Sequence, residues 1–451
     1  MPSKRAIGPL DKRNRVSRCQ ACAARKIRVC HLRCQAQTKR NPGAVFVHHP
    51  GRSEGAAVQT KSLPKPIPEG SEIRFLNYSI ALLDSNRFVN NHRTLATEIL
   101  PLLPTSSFLR SAVRAVGALN ASRHGSVCSD RGGPNSAYFI AFSAYSTSIT
   151  ALQTALTDQS IAKRDDVLWG TFFLGLFELM VDPSGEGWAK HMLSGTSKLL
   201  QLAGPGDTMT ASRRTFFNVF RVLEATRAII YGHNTILSMP SWMSLQLQLS
   251  LQTTGWSAMD EMISLMIQVS SFSARFFESI PYLESLDTGA LVDALGREGL
   301  EVQSSIYAWH DKAMLEFGSG ELVDAEFHLA LACCHTLLLF LSNNYNYYPF
   351  WHDKPSPRLP QDKPRGHVKS ILHHAEHILN TSDVSSVLLI FPLRVAGTQA
   401  ESGMRARILG LLDGVFARGF VVARRIQDDL NEVWDDQGSL IPGYDNDHEI
   451  Y

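Results

Sequence analysis

Residues 165–181, DDVLWGTFFLGLFELMV, decide the fold class. Two acids suit the start of a helix, and the residues after them are apolar on nearly every side. At seventeen residues the run is too long for an ordinary strand, and a helix that is apolar all round has to be buried between other helices. It stops at Asp182-Pro183-Ser184-Gly185. Directly beyond, residues 186–202 read as a second helix, with Trp188, His191, Met192, Leu199 and Leu200 apolar or amphipathic, closed by Gly204-Pro205-Gly206. On the other side, FLRSAVRAVGALNASR (108–123) places Ala112, Val113, Val116 and Leu119 on one face of a helix. Helical periods recur over 211–231, 256–279, 289–315, 321–343, 365–380 and 402–434. The one period-2 run, SLQLQLSLQ (244–252), is bracketed by helices, and no self-similarity at solenoid spacing occurs. An all-α body over residues 72–435 is therefore expected.

The rest of the chain differs in kind. At 451 residues and 44% hydrophobic content it can hold two or three domains, or one large helical body with a small module attached. The net charge is only +2, but its distribution is uneven. Residues 1–42 contain twelve Lys or Arg against the single acid Asp11, whereas residues 428–451 contain eight acids and no Lys or Arg. Between head and body, residues 41–71 carry five prolines and no apolar period, which assigns 43–71 as a linker; residues 436–451 form an acidic tail. The opening residues hold no apolar run able to serve as a secretion signal. The longest uncharged apolar stretch, Leu329 to Leu341, falls short of the roughly 20 residues needed to span a bilayer, so no membrane segment is expected.

Seven cysteines are too few for a disulfide scaffold, and four of them crowd together as Cys19, Cys22, Cys30 and Cys34. A CxxC pair can bring two thiolates to one zinc at about 2.3 Å, and surrounding cations favour the deprotonated ligand. Arg25, Lys26 and Arg28 lie between the ligands, where a short metal-anchored helix would turn them toward an anion.

With these residues in view, RVSRCQACAARKIR (15–28) resembles the opening half of the fungal binuclear zinc cluster transcription factors. The resemblance implies double-stranded DNA with CGG-type half-sites as partner. It implies zinc as cofactor, with Cys19, Cys22, Cys30 and Cys34 as ligands. It places Lys26 against base edges, and Arg18, Arg25 and Arg28 as further DNA contacts. Two departures stand out: seven residues rather than six separate Cys22 from Cys30, and no cysteine follows Cys34 before Cys128. Two of the six ligands are thus missing. The alternatives are a two-zinc cluster completed by histidines such as His31, His48 or His49, a single zinc on four cysteines, a degenerate module, an exon boundary misplaced between Arg28 and Val45, or four chance cysteines in a basic tail.

The body extends the resemblance. Residues 110–123, 168–205, 216–232, 237–242 and 391–399 are similar to the helical regulatory domain that follows the zinc cluster in many such factors. Glu178, Trp188, His191, Gly195 and Arg221 match positions common in that domain, where core packing, caps and a buried ion pair account for them. The family implies a nuclear, non-enzymatic regulator of RNA polymerase II genes, with a metabolic or secondary-metabolite gene cluster as one class of target. A homodimer and contact with a coactivator or repressor are further options it implies. No heptads appear in 43–71. The competing class is a helical interaction or ligand-sensing protein whose zinc module has decayed.

Two other readings carry less. HHAEH (373–377) has the spacing of inverted zinc peptidases, with His373 and His377 as ligands and Glu376 as base, but a solvated helix face is the better account. No GxSxG elbow or phosphate-binding glycine loop is present, so an enzyme is not expected.

Overall fold

The computed structural model describes residues 71–88, 95–124, 136–156, 159–205, 209–251, 257–283, 288–318 and 324–439. Among these, secondary structure is helical, and the only extended pairing is an isolated bridge between Arg87 and Val384. The all-α expectation holds.

The first layer comprises α1 (Ser71–Asp84), the short α2 (Leu95–Ile99), α3 (Ser107–Arg123), α4 (Ala137–Ala155) and α5 (Asp165–Val181). Small residues let α1, α3 and α4 approach closely. Ser79 donates to the Val113 carbonyl at 2.6 Å, Ser148 to that of Phe108 at 2.9 Å, and a Cβ at Gly117 would strike the Phe75 carbonyl. As its composition demands, α5 is buried from Asp166 through Met180. The indole of Trp169 donates to Ser212 at 2.9 Å, which satisfies its one buried donor.

Next come α6 (Glu186–Lys190), a π-helical turn (His191–Thr196), α7 (Ser197–Ala203), α8 (Ala211–Tyr231) and α9 (Pro240–Leu251). The expectation of one helix over 186–202 is corrected by that wide turn. It lies where Glu178 of α5 rests against Gly187, with its Oε1 3.0 Å from Nδ1 of His191. Residues 244–251 are also helical. A lone alternating segment has no strand to pair with, and its Leu and Gln residues are good helix formers. Trp242, Leu245 and Gln246 face inward, and the Gln246 amide donates to the Leu237 carbonyl at 3.1 Å.

The C-terminal layer holds α10 (Ala258–Ser279), α11 (Gly289–Gly318), α12 (Ala325–Tyr347), α13 (Lys363–Thr381), α14 (Ile390–Thr398), α15 (Ser402–Ala417) and α16 (Val422–Ser439). Capping is local and conventional: Ser106, Ser136, Thr210, Ser257 and Asp324 each accept from the backbone N–H three residues on. One helix over 402–434 was expected, but Gly419 at φ +108° divides it into α15 and α16. Among the described residues α12 alone is long and apolar enough to cross a membrane, and most of it is packed against α10, α11, α13 and α14.

Candidate functional site

The residues selected from sequence for chemistry, Arg18, Cys19, Cys22, Arg25, Lys26, Arg28, Cys30 and Cys34, lie outside the described residues. So do residues 43–70 of the linker and all of the acidic tail after Ser439.

Residues of α5, α6, α8, α14 and α16 line a cavity of about 50 Å³. Leu179, Trp188, Leu223, Ile230, Leu388 and Ile426 make its walls apolar, while Tyr231, Arg394, Arg425 and Asp429 bring polar groups to it. A space of that size holds a few water molecules. Burial pushes the Tyr231 hydroxyl pKa up, with Arg394 pulling in the opposite direction. A wider polar cleft of about 900 Å³ lies between the ends of α1, α3, α13 and α15. Its arginines are already engaged. Arg123 donates to the carbonyls of Met180 and Gly419, Arg418 to those of Leu379, Ser382 and Val384, and Arg87 to Glu326 and Asp383. These contacts tie helix ends together rather than leave cations facing solvent.

The five positions singled out within the body prove to be packing and pairing residues where their side chains make contacts. Arg221 pairs with Asp260 and so joins α8 to α10. Glu178 accepts from the Tyr145 hydroxyl of α4, and burial together with that carboxylate raises the Tyr145 pKa. Trp188 is buried, and its ring edge lies against the open side of Gly175. Gly195 faces open space.

The HHAEH segment falls on α13. Arg407 of α15 donates two hydrogen bonds to Glu376 and holds its carboxyl below the usual range, which is the opposite of what a general base needs. Among the described residues no three His, Cys, Asp or Glu are arranged to hold a metal ion as they stand. His373 is exposed, as a solvated face requires, but His374 turns inward to place its Nδ1 2.9 Å from Nδ1 of His328 on α12. Sequence reasoning missed this contact, although two histidines seven apart on each of α12 (His328, His335) and α13 (His367, His374) were a visible signal. Cys333 and Cys334 are buried, and burial pushes the Cys333 thiol up to about 12, so neither is poised as a nucleophile.

Comparison with known proteins agrees with this architecture. Residues 88–441 match the model of the fungal specific transcription factor domain. A protein of Emericella nidulans, described as uncharacterised, is 29% identical over 103 residues, which cover 23% of this chain and 22% of that protein. No solved structure matches. A match that runs from the end of α1 to beyond α16 takes in nearly the whole helical body, and on that ground the chain belongs to the fungal-specific transcription factor domain family.

Proposed function

We propose that the chain is a nuclear transcription regulator that binds duplex DNA through residues 1–42, with zinc held by Cys19, Cys22, Cys30 and Cys34. The observation that carries this is the presence in one chain of the family domain over 88–441 and, upstream of it, a cysteine cluster set among twelve basic residues. Arg18, Arg25 and Arg28 supply phosphate contacts, and Lys26 reads base edges in CGG-type half-sites. The helical body regulates, through self-association or contact with a coactivator or repressor, and no step of its action is catalytic. Its targets are RNA polymerase II genes, with a metabolic or secondary-metabolite cluster the class that the family suggests.

The test is a titration of CGG-containing and scrambled duplexes with the full chain at several salt concentrations. If the head contacts six or so phosphates, log affinity falls with log salt at a slope of about −0.9 per contact. Lys26→Ala should lower preference for the CGG duplex, whereas an equal loss on both duplexes would remove the base-reading role of Lys26.

A second reading has its own supporting observation, the shortfall of two cysteines from the family's six. In that reading the head does not engage DNA, and the body acts through protein contacts or ligand sensing. Absence of duplex affinity at low salt would favour it.

A further inference from the structure

Helices α10 and α11 lie side by side and leave an open groove of about 880 Å³ along their outer face. Two ion pairs tie the helices together, Lys312 with Glu261 at 2.7 Å and Arg275 with Glu298. The paired residues stand fourteen positions apart on each helix, so the stretch between the ties is about 21 Å long. Small side chains open it from both walls: Ser264 and Ser271 on α10, Ser305 and Ala308 on α11. Phe272, Val302 and Trp309 make its floor, none of them more than 4% exposed. Apolar surface continues past both walls. Met243 on the border is 56% exposed and Leu247, one turn further on α9, 62%. On α11 the stripe of Glu301, Ser305, Ala308 and Lys312 runs on to Leu315, which is 78% exposed. A concave apolar floor bordered by exposed apolar side chains marks a contact site, and methionine adapts to varied partners.

Charge narrows what can lie there. Residues 258–279 and 289–318 carry eight acids against three Lys or Arg, a net −5 over the two helices. Asp260 and Asp293 are paired with Arg221 and Lys354 on other elements, which leaves the outer face acidic. Glu301 lies exposed on the rim, midway between the two ties, and pairs with no cation among the described residues. Duplex DNA and anionic bilayers are repelled by such a face. A second copy is disfavoured too, because a twofold contact sets the same patch against itself and brings like carboxylates together. The fitting occupant is apolar on one side and basic on its flanks. A groove about 21 Å long takes about four turns of α-helix, whose residues at i, i+3, i+4 and i+7 reach one floor.

We propose that the α10–α11 groove is a docking site for a basic amphipathic helix of a partner protein. Apolar side chains of that helix rest on Phe272, Val302 and Trp309, and a Lys or Arg on its flank pairs with Glu301. The proposal rests on the reading of the body as a unit that acts by protein contact. It owes nothing to zinc or DNA, so its failure leaves the duplex titration of the head unaffected, and the converse holds as well.

The experiment titrates the full chain into a fluorescein-labelled synthetic helix of about fourteen residues and follows anisotropy at about 0.15 M salt. The probe carries leucine at i, i+3, i+4 and i+7, lysine on both flanks and alanine elsewhere; a control probe has glutamate in place of lysine. Saturable one-to-one binding of the basic probe is expected, with none of the acidic probe. Glu301→Lys and Ala308→Trp should each weaken it about tenfold, the first by reversing the rim charge and the second by filling the groove. Both positions are exposed, so the core is left intact, and helical circular dichroism checks the fold. Glu278→Lys makes the same charge change on α10 outside the groove and should alter affinity less than about twofold. Equal weakening by Glu278→Lys and Glu301→Lys would mean diffuse attraction and overturn the proposal. So would equal binding of the acidic probe, or no saturable binding of the basic one. Binding that emerges only in Arg25→Gln/Lys26→Gln/Arg28→Gln would also overturn it, by giving the groove to the chain's own basic head.

Discussion

Arg227 and Glu224, one turn apart on α8, form a bidentate ion pair in the middle of the body: Nε and Nη2 each lie 2.8 Å from a carboxylate oxygen, and both side chains are 1% exposed. Desolvating two charges is costly, and the pair is tolerable because each is the other's partner. Removing one leaves an uncompensated buried charge. Glu224→Gln or Arg227→Met should each lower unfolding free energy by about 3–5 kcal/mol in urea. The double variant Glu224→Leu/Arg227→Met should recover most of that loss. Additive losses in the double variant would contradict the pairing.

Gly419 separates α15 from α16 at φ +108°, and a Cβ there would meet Nη1 of Arg123 at 2.9 Å. Gly419→Ala should therefore cost about 1–3 kcal/mol through backbone strain and displacement of Arg123. Gly403→Ala, on a helix and facing open space, should be neutral or slightly stabilising. Equal effects of the two would deny a special role to the break.

The histidine face predicts a pH dependence with a definite sign. Burial and neighbouring rings lower His328 to about 4, and His335 and His374 to about 3. The unfolded chain takes up these protons near pH 6.5, while the folded chain takes them up only at the lower values, so acid favours unfolding. Stability is full above about pH 6.5 and declines as pH falls toward 4 and 3. The groups facing these rings are mainly His310, His367, His373 and His377, with Asp324 beside His328 and Lys363 beside His367. Asp324 pulls His328 back toward protonation without reversing the shift. Tm measured between about pH 7 and pH 5, above the range in which most carboxylates titrate, should fall by several degrees. The slope should flatten in His328→Gln/His374→Gln, and an unchanged slope would contradict the assignment.

The long amphipathic or wholly apolar segments were legible from residue pattern alone. The run 165–181 became α5 with the same bounds, and 211–231 became α8. Errors arose where a neighbour, not the local pattern, sets the conformation. The break at Gly419 depends on the space beside Arg123, and the wide turn at His191 lies against Glu178, a residue thirteen positions earlier. Helix α4 escaped notice because its buried face mixes Ile140 and Leu152 with Ala141, Ala144 and Ser148 while Tyr138 and Phe139 lie exposed, so no clear apolar stripe marks it. The histidine contacts are the same kind of case, since His374 looks solvated until α12 is placed against α13.

The central claim is a zinc-dependent, DNA-binding head on this helical body. The most direct measurement is the affinity of the full chain for a CGG-containing duplex before chelation, after chelation, and after zinc is restored. The account predicts tight, sequence-preferring binding that is lost on chelation, returns with zinc, and fails to return in Cys19→Ser/Cys22→Ser. Binding that is indifferent to chelation and to those two cysteines, or no binding in any of the three conditions, would contradict it.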